Sequence, residues 1–259
     1  TNKIMCGKTV AESVYNRIRD LPKENKGLAV ILIGDRVDSK TYVNMKQKKC
    51  KELGIDSYLF NFPDDVKTDD IVNKIIELNN NNKIQNILVQ LPIPKHLDED
   101  LILNTINSDK DIDGFNIENF GKLALDKQPD NVPCTALGCM KILEYYNVNL
   151  EGKHVVVLGK SKVVGLPVSL LAMCKGATVT ICHSKTQNIE TITQMADILI
   201  TACGQPLMVK KEWIKEDVII IDVGINSIED KSKKRGYRLV GDVDFDDVID
   251  KVRYITPVP

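Results

Sequence analysis

Histidine is scarce in this chain. His96, His154 and His183 are the only three among 259 residues, too scattered to form a metal-ligand pattern. The seven cysteines (Cys6, Cys50, Cys134, Cys139, Cys174, Cys182, Cys203) include no CxxC pair, and several sit inside apolar runs. That spacing argues against a disulfide framework and for buried, reduced thiols in a reducing compartment such as the cytoplasm. No apolar run approaches the roughly 18 to 20 residues of a membrane span. Neither sign of charge is in excess: 35 Lys and Arg stand against 36 Asp and Glu, a net charge of −1. Nothing here is an electrostatic footprint for nucleic acid or an anionic membrane. What remains, 43% apolar and 27% charged residues, is the balance of a soluble globular protein of a length that suits two domains. The chain opens at Thr1 and not at methionine, which leaves room for a removed upstream segment such as an organelle leader.

Short β-branched runs recur at Leu28–Ile33, Ser57–Phe62, Ile84–Gln90, His154–Leu158, Ala177–Cys182, Asp197–Thr201 and Val218–Asp222. Amphipathic segments lie between them, among them Lys8–Asp20, Thr68–Asn80, Thr135–Tyr146 and Gly165–Lys175. Strands alternating with helices of this length predict an α/β protein with mainly parallel sheets covered on both faces. The change of pattern around PCTALG (Pro133–Gly138) places a first domain at residues 1–138 and a second at 139–259. The charged stretch Glu229–Arg238 reads as an exposed hairpin or loop.

The stretch from Gly152 to Thr186 holds a buried strand, a glycine turn, a helix with Pro167 in its first turn, a stop at Gly176 and a second strand. That order opens a Rossmann-type dinucleotide-binding domain, in which amides at the helix start hold pyrophosphate oxygens. The turn departs from GxGxxG: Gly159 and Gly165 are six apart, with Ser161 between them. At the end of the second strand an NAD-preferring domain offers a carboxylate to the ribose 2′-hydroxyl. Here His183, Ser184 and Lys185 stand instead, no acid follows until Glu190, and Lys160 lies in the first turn. A cationic, hydroxyl-bearing pocket suits a 2′-phosphate, so NADP is the expected cofactor.

Five lysines crowd SKTYVNMKQKKCKELG (Ser39–Gly54). On a wheel of about 100° per residue with Tyr42 as origin, Lys46 falls at about 40°, within a stripe of Tyr42, Leu53, Cys50, Val43 and Met45. Lys40, Lys48 and Lys51 fall at roughly 160° to 240°, and Lys49 lies at the edge. Tyr42 and Lys46 are i,i+4 neighbours able to act on one ligand. Two readings stay open for Lys46: its stem snorkels to water, or it is a proton-transfer group, since a desolvated ammonium gives up its proton more readily. Partners exist for the second. VQLPIP (Val89–Pro94) sets Gln90 at a strand's carboxyl end, where open α/β sheets bind ligands. DKDIDGFN (Asp109–Asn116) sets Asp113 in a glycine turn, either as a turn-former or as a carboxylate that reads an amino-pyrimidinone edge.

Ten ordered motifs then make the chain resemble, over nearly its whole length, the methylenetetrahydrofolate dehydrogenase/methenyltetrahydrofolate cyclohydrolase family. They are TYVNMK (Thr41–Lys46), VQLP (Val89–Pro92), KDIDGF (Lys110–Phe115), PCT (Pro133–Thr135), GKSKVVGLP (Gly159–Pro167), CHSKT (Cys182–Thr186), GQP (Gly204–Pro206), DVGIN (Asp222–Asn226), GDVDF (Gly241–Phe245) and ITPVP (Ile255–Pro259). A two-domain dehydrogenase of another small substrate would not explain VQLP and KDIDGF together.

The resemblance implies a folate domain, then an NADP domain, with a cleft between them, and oxidation of 5,10-methylenetetrahydrofolate followed by hydrolysis to 10-formyltetrahydrofolate. It implies that Lys46 is the cyclohydrolase residue, positioned with Tyr42 and Gln90. It further implies that Leu91, Pro92 and Asp113 complete the folate site. Gly159, Lys160, Ser161, Val164, His183, Ser184, Cys203, Gly204, Gly224 and Ile225 would line the cofactor. A homodimer through the cofactor domain is also implied. The chain departs from the family at Lys160, where many relatives carry Arg, and at Ala136, where proline commonly follows PCT. The sequence as given ends at Pro259, where relatives continue with a GGVGPMT loop and a final return helix.

Overall fold

The computed structural model describes residues 3–21, 27–232 and 236–258. They form two compact units, one of residues 12–134 and one joining the amino-terminal residues up to Ala11 with residues 135–259. The sequence pattern set the division after Gly138 and kept the amino end in the first domain. In the structure Ile4 bridges in parallel to Ile255, 251 residues away, and the fully buried Met5 packs in the core of the second unit.

Helix α1 (Gly7–Arg19) leads into the 12–134 unit, which continues with β1 (Gly27–Ile33), α2 (Val37–Leu53), β2 (Asp56–Phe62), α3 (Thr68–Asn79), β3 (Asn86–Val89), α4 (Glu99–Thr105) and α5 (Ile117–Ala124). The strands are parallel in the order β2-β1-β3. Alternation along β1 sends Ala29, Ile31 and Ile33 to one face, where they meet Ile71 and Ile75 of α3 and Ile102 of α4. Val30 and Leu32 face the other way, toward Val43 of α2. A central strand covered on both sides has to be apolar at every position, and GLAVILI is.

The second unit runs through α6 (Cys134–Tyr145, whose first residue belongs to the other unit), β4 (His154–Leu158), α7 (Gly165–Cys174), β5 (Thr178–Cys182), α8 (Ile189–Thr193), β6 (Ile198–Thr201), β7 (Ile219–Asp222), β8 (Asn226–Glu229), β9 (Tyr237–Val240), α9 (Phe245–Val248) and β10 (Tyr254–Ile255). Five strands pair in parallel as β10-β7-β6-β4-β5. Val155 and Val157 pack with α6 and α7, while Val156 and Leu158 pack with Val209, Ile214 and Val248. The charged stretch read as a hairpin or loop joins β8 and β9, which pair antiparallel; residues 233–235 within it lie outside the described set. The helices α4 and α5 carry no counterpart in the sequence reading.

In both sheets the chain reverses its direction of travel across the sheet beside the first strand: β1 lies between β2 and β3, and β4 lies between β5 and β6. Open parallel sheets bind ligands outside the carboxyl ends of the strands at such points. Among the described residues no helix is long and apolar enough to cross a membrane.

Candidate active site

In the 12–134 unit the switch point between β1 and β3 gathers the expected folate-side residues. Gln90 follows β3 directly, and its amide donates to the Ile31 carbonyl at 2.9 Å. Its side chain is fixed at both ends. Nε2 donates to the Leu91 carbonyl at 2.8 Å, and Oε1 accepts from Lys46 Nζ at 3.0 Å. Lys46 therefore does not snorkel away; it is half-buried and held at the strand end. Lys40, Lys48 and Lys51 are exposed, as the wheel placed them, and Lys49 pairs with Glu52 at 2.5 Å and lies over the Tyr15 ring. The stripe itself needs correction. Val43 and Leu53 are buried, but Met45 is 62% exposed and Tyr42 49% exposed, because a wheel shows angle and not what covers the helix along its length.

The KDIDGF segment lies beside β3, with Asp111 bridging in parallel to Ile87. The buried Asp111 carboxylate accepts from the Asn116 amide at 2.7 Å and from Asn119 Nδ2 at 3.2 Å, which shapes the turn that carries Asp113. Gly114, at φ 66°, has room for no side chain: a Cβ there would lie 2.9 Å from Val132 and Pro133. That close approach brings Cys134 to Asp113. Burial pushes the Asp113 carboxyl above its usual range, opposed by the nearby Lys46 charge and by a hydrogen bond from the Cys134 thiol. Desolvation and the Asp113 charge in turn raise Cys134 to about 11. Leu91 and Pro92, joined by a cis peptide bond, follow Gln90, with Leu91 partly buried and Pro92 exposed. Lys46, Gln90, Asp113 and Cys134 thus form one cluster with an amine, an amide and a carboxylate, while Tyr42 presents its ring from an exposed position one turn before Lys46.

In the second unit the strand register does the gathering. Cys182 of β5 pairs with Leu158 of β4, Leu158 with Thr201 of β6, and Thr201 with Asp222 of β7. The loops that begin at Gly159, His183, Ala202 and Val223 consequently emerge side by side along one edge. Gly159 adopts φ 113°, and a Cβ on it would strike the Ala202 carbonyl; one on Gly165 would strike the Gly159 carbonyl. The six-residue glycine spacing is therefore what lets the start of α7 lie against the strand ends. Ser161 Oγ accepts from the amides of Val164 (3.1 Å) and Gly165 (3.4 Å), closing the turn.

His183 Nδ1 accepts from the Lys185 amide at 3.1 Å, which leaves the proton of the neutral ring on Nε2. Lys160, Ser161, Ser184 and Lys185 are exposed, and no carboxylate occurs in the loop that follows β5 before Glu190. Tight glycine packing at a helix start with cations nearby fits an anionic dinucleotide. Cys203 is half-buried, Gly204 and Ile225 are exposed, and Gly224 is buried. Two residues with no role in the sequence reading, Asp222 and Asp242, tie these loops together. They stood within DVGIN and GDVDF, yet nothing local pairs them with residues 20 to 40 positions away. Among the described residues no cluster of His, Cys, Asp and Glu could hold a metal ion.

Residues 5–113 match the family model for the catalytic domain of tetrahydrofolate dehydrogenase/cyclohydrolase, and residues 133–259 match the model for its NAD(P)-binding domain. The chain belongs to the tetrahydrofolate dehydrogenase/cyclohydrolase family. It is 48% identical to bifunctional protein FolD 2 of Arabidopsis thaliana, across 100% of this chain and 89% of the relative. Among solved structures it superposes on the Campylobacter jejuni bifunctional enzyme FolD with a TM-score of 0.93 and 39% identity, covering 99% and 91% of the two chains. The Trypanosoma brucei enzyme, solved with NADP cofactor and an inhibitor, gives a TM-score of 0.89 and 38% identity over 98% and 88%. The protein is accordingly an enzyme of one-carbon metabolism, a methylenetetrahydrofolate dehydrogenase and methenyltetrahydrofolate cyclohydrolase with an NAD(P)-binding domain.

The cysteines of this family member differ in their readiness to react. Hydrogen bonds involving Thr9 lower the Cys6 thiol below its usual value, whereas burial and the Asp242 charge raise Cys203 to about 12. Iodoacetamide at pH 8, followed by peptide mass spectrometry, is expected to modify Cys6 at least about tenfold faster than Cys134 or Cys203. Equal rates at the three positions would contradict the electrostatics described.

Proposed function

We propose that the two activities divide between the two clusters, with hydrolysis centred on Lys46 and cofactor binding on the strand-end loops of the second unit. The observation that carries this is the 3.0 Å contact from Lys46 Nζ to Gln90 Oε1 at the end of β3, beside Asp113. Water attack on the methenyl carbon releases a proton, and Lys46 is placed to accept it, with Gln90 fixing the amine. Asp113 receives the amino-pyrimidinone edge of the pterin through paired hydrogen bonds, a use for which a partly buried carboxylate is well suited. Tyr42 offers its exposed ring to the folate, and Leu91 and Pro92 form the adjoining wall.

The cofactor is NADP. Lys160, Ser161, His183 and Ser184 supply cationic and hydroxyl groups where a carboxylate would favour NAD, and Gly159, Val164, Cys203, Gly204, Gly224 and Ile225 line the remainder of the strand-end edge. NADP, when bound, takes the hydride that leaves the methylene bridge. The residues' own part in that step is orientation.

Incubation of the purified full-length protein with methylenetetrahydrofolate and either NADP or NAD is expected to give faster reduction of NADP. Preference for NAD would refute the assignment of the 2′-phosphate pocket. Lys46→Met is expected to lower cyclohydrolase turnover by at least about a hundredfold, the scale of a lost general base, with a smaller loss in hydride transfer. An equal fall in both activities would reassign Lys46 to binding or folding.

Seven free cysteines support a reducing compartment, which we take to be the cytoplasm. We further propose a homodimer through the cofactor unit. Its hairpin exposes Tyr237 and Leu239, apolar side chains of the kind an interface covers. Light scattering is expected to give twice the 29.0 kDa mass of the chain, and a monomer would refute the assembly.

A further inference from the structure

Asp242 is completely buried, yet it belongs to neither set of ligand-lining residues. Its Oδ2 accepts from the amides of Cys203 (2.8 Å) and Gly204 (3.2 Å) and from the Cys203 thiol (3.4 Å). Its Oδ1 accepts from the Gln205 amide (2.9 Å) and from Asn226 Nδ2 (2.8 Å). One carboxylate therefore holds three consecutive amides of the loop after β6 and a side chain beyond β7. A charge with this many donors is well compensated, and no neutral side chain presents two acceptor oxygens in the same place.

The support behind Asp242 is equally specific. Asp222 Oδ1 accepts from the amides of Asp242 (3.1 Å) and Gly224 (3.0 Å) and from Thr201 Oγ1 (2.9 Å), and its Oδ2 accepts from the Val243 amide (3.0 Å). The backbone of Asp242 is further pinned where its carbonyl accepts from the Val209 amide at 3.0 Å. A Cβ on Gly224 would strike the Asp242 carboxyl, and one on Gly241 would strike that of Asp222. Both glycines leave space that the carboxylates fill.

We infer that Asp242 is a positioning residue for hydride transfer, its carboxylate setting the Cys203–Gln205 backbone and the Asn226 side chain, and with them the loops after β6 and β7 on which the nicotinamide half of the cofactor rests. The half is assigned by topology. With the pyrophosphate at the α7 turn and the 2′-phosphate beyond β5, the other half of the dinucleotide extends over β6 and β7. The inference rests on the proposed reading of Cys203, Gly204, Gly224 and Ile225 as cofactor-lining residues.

Asp242→Asn keeps the volume but turns an amide group toward backbone N–H donors, so the loop must shift. The test is the variant's two activities measured side by side. The expected result is a KM for NADP raised about tenfold or more, with cyclohydrolase turnover within about twofold of the parent, since hydrolysis uses residues of the other unit and no hydride acceptor. Asn226→Ala removes one donor and leaves the carboxylate. It is expected to raise the KM for NADP by about threefold, again without loss of hydrolysis, and it decides the matter if Asp242→Asn does not fold. An unchanged KM for NADP, or parallel loss of both activities in Asn226→Ala, would overturn the inference. A parent enzyme that does not reduce NADP would instead overturn the functional reading beneath it.

Discussion

A parallel sheet sets the carboxyl ends of all its strands along one edge, and the candidate sites of both units depend on that constraint. Because β1 and β4 are apolar on both faces, helices must cover both sides, and each return crossover starts a new strand from the opposite edge. The strand-end loops are then the places where irregular backbone and polar groups meet without helix cover. Gln90 follows Val89, Gly159 follows Leu158, His183 follows Cys182, and Cys203 stands two residues beyond Thr201. In the second unit the four aligned strand ends of β5, β4, β6 and β7 span about 14 Å at the usual strand spacing, a length suited to an extended dinucleotide.

Loops so placed lack the hydrogen bonds of the sheet and need others. The structure meets that need with carboxylates, buried at Asp111 and Asp242 and half-buried at Asp222. Asp111 shapes the turn that carries Asp113 in one unit, and Asp222 and Asp242 shape the loops after β6 and β7 in the other. Burial raises Asp111 and Asp222 above the ordinary carboxylate range, and in each case the amide donors oppose that rise. An isolated carboxylate in such positions would cost several kcal/mol; a carboxylate surrounded by amides fixes loop geometry at far smaller cost. Glycine completes the device, since Gly114, Gly224 and Gly241 admit a backbone or a carboxyl group where a side chain would stand.

The sequence shows the strands plainly because alternation and apolar runs are local signals. His154–Leu158 agrees at both ends, and the other six agree within two residues. Short helices were less visible. α4 and α5 span seven and eight residues, too few turns for periodicity, although Asp98 and Asn116 cap them through the Leu101 and Glu118 amides. Angle alone separates Lys46 from Lys40, Lys48 and Lys51 and leaves Lys49 at the edge, but it cannot show the contact with Gln90, which lies 44 residues away and is reached only through its strand-end position and the VQLP motif. The same limit hid Asp242, whose amide donors lie 37 to 39 residues back, and the bridge from Ile4 to Ile255. Periodicity reports which way a residue faces. It does not report what is waiting there.

Glutamine at position 90 suits the proton-transfer role proposed for Lys46. An amine and an ammonium both donate hydrogen bonds, so Gln90 Oε1 can hold Lys46 in either protonation state. A carboxylate in that place would draw the nitrogen toward its charged form, and an apolar residue would leave it unheld. The Gln90 amide can rotate to exchange its oxygen and nitrogen, but the Leu91 carbonyl accepts from Nε2 and fixes the orientation. The VQLP motif thus supplies two linked parts: a side chain that tolerates both states of its partner, and a backbone carbonyl that stops that side chain from turning. For the role proposed for Lys46, this keeps the nitrogen where the strand end places it whichever state it is in.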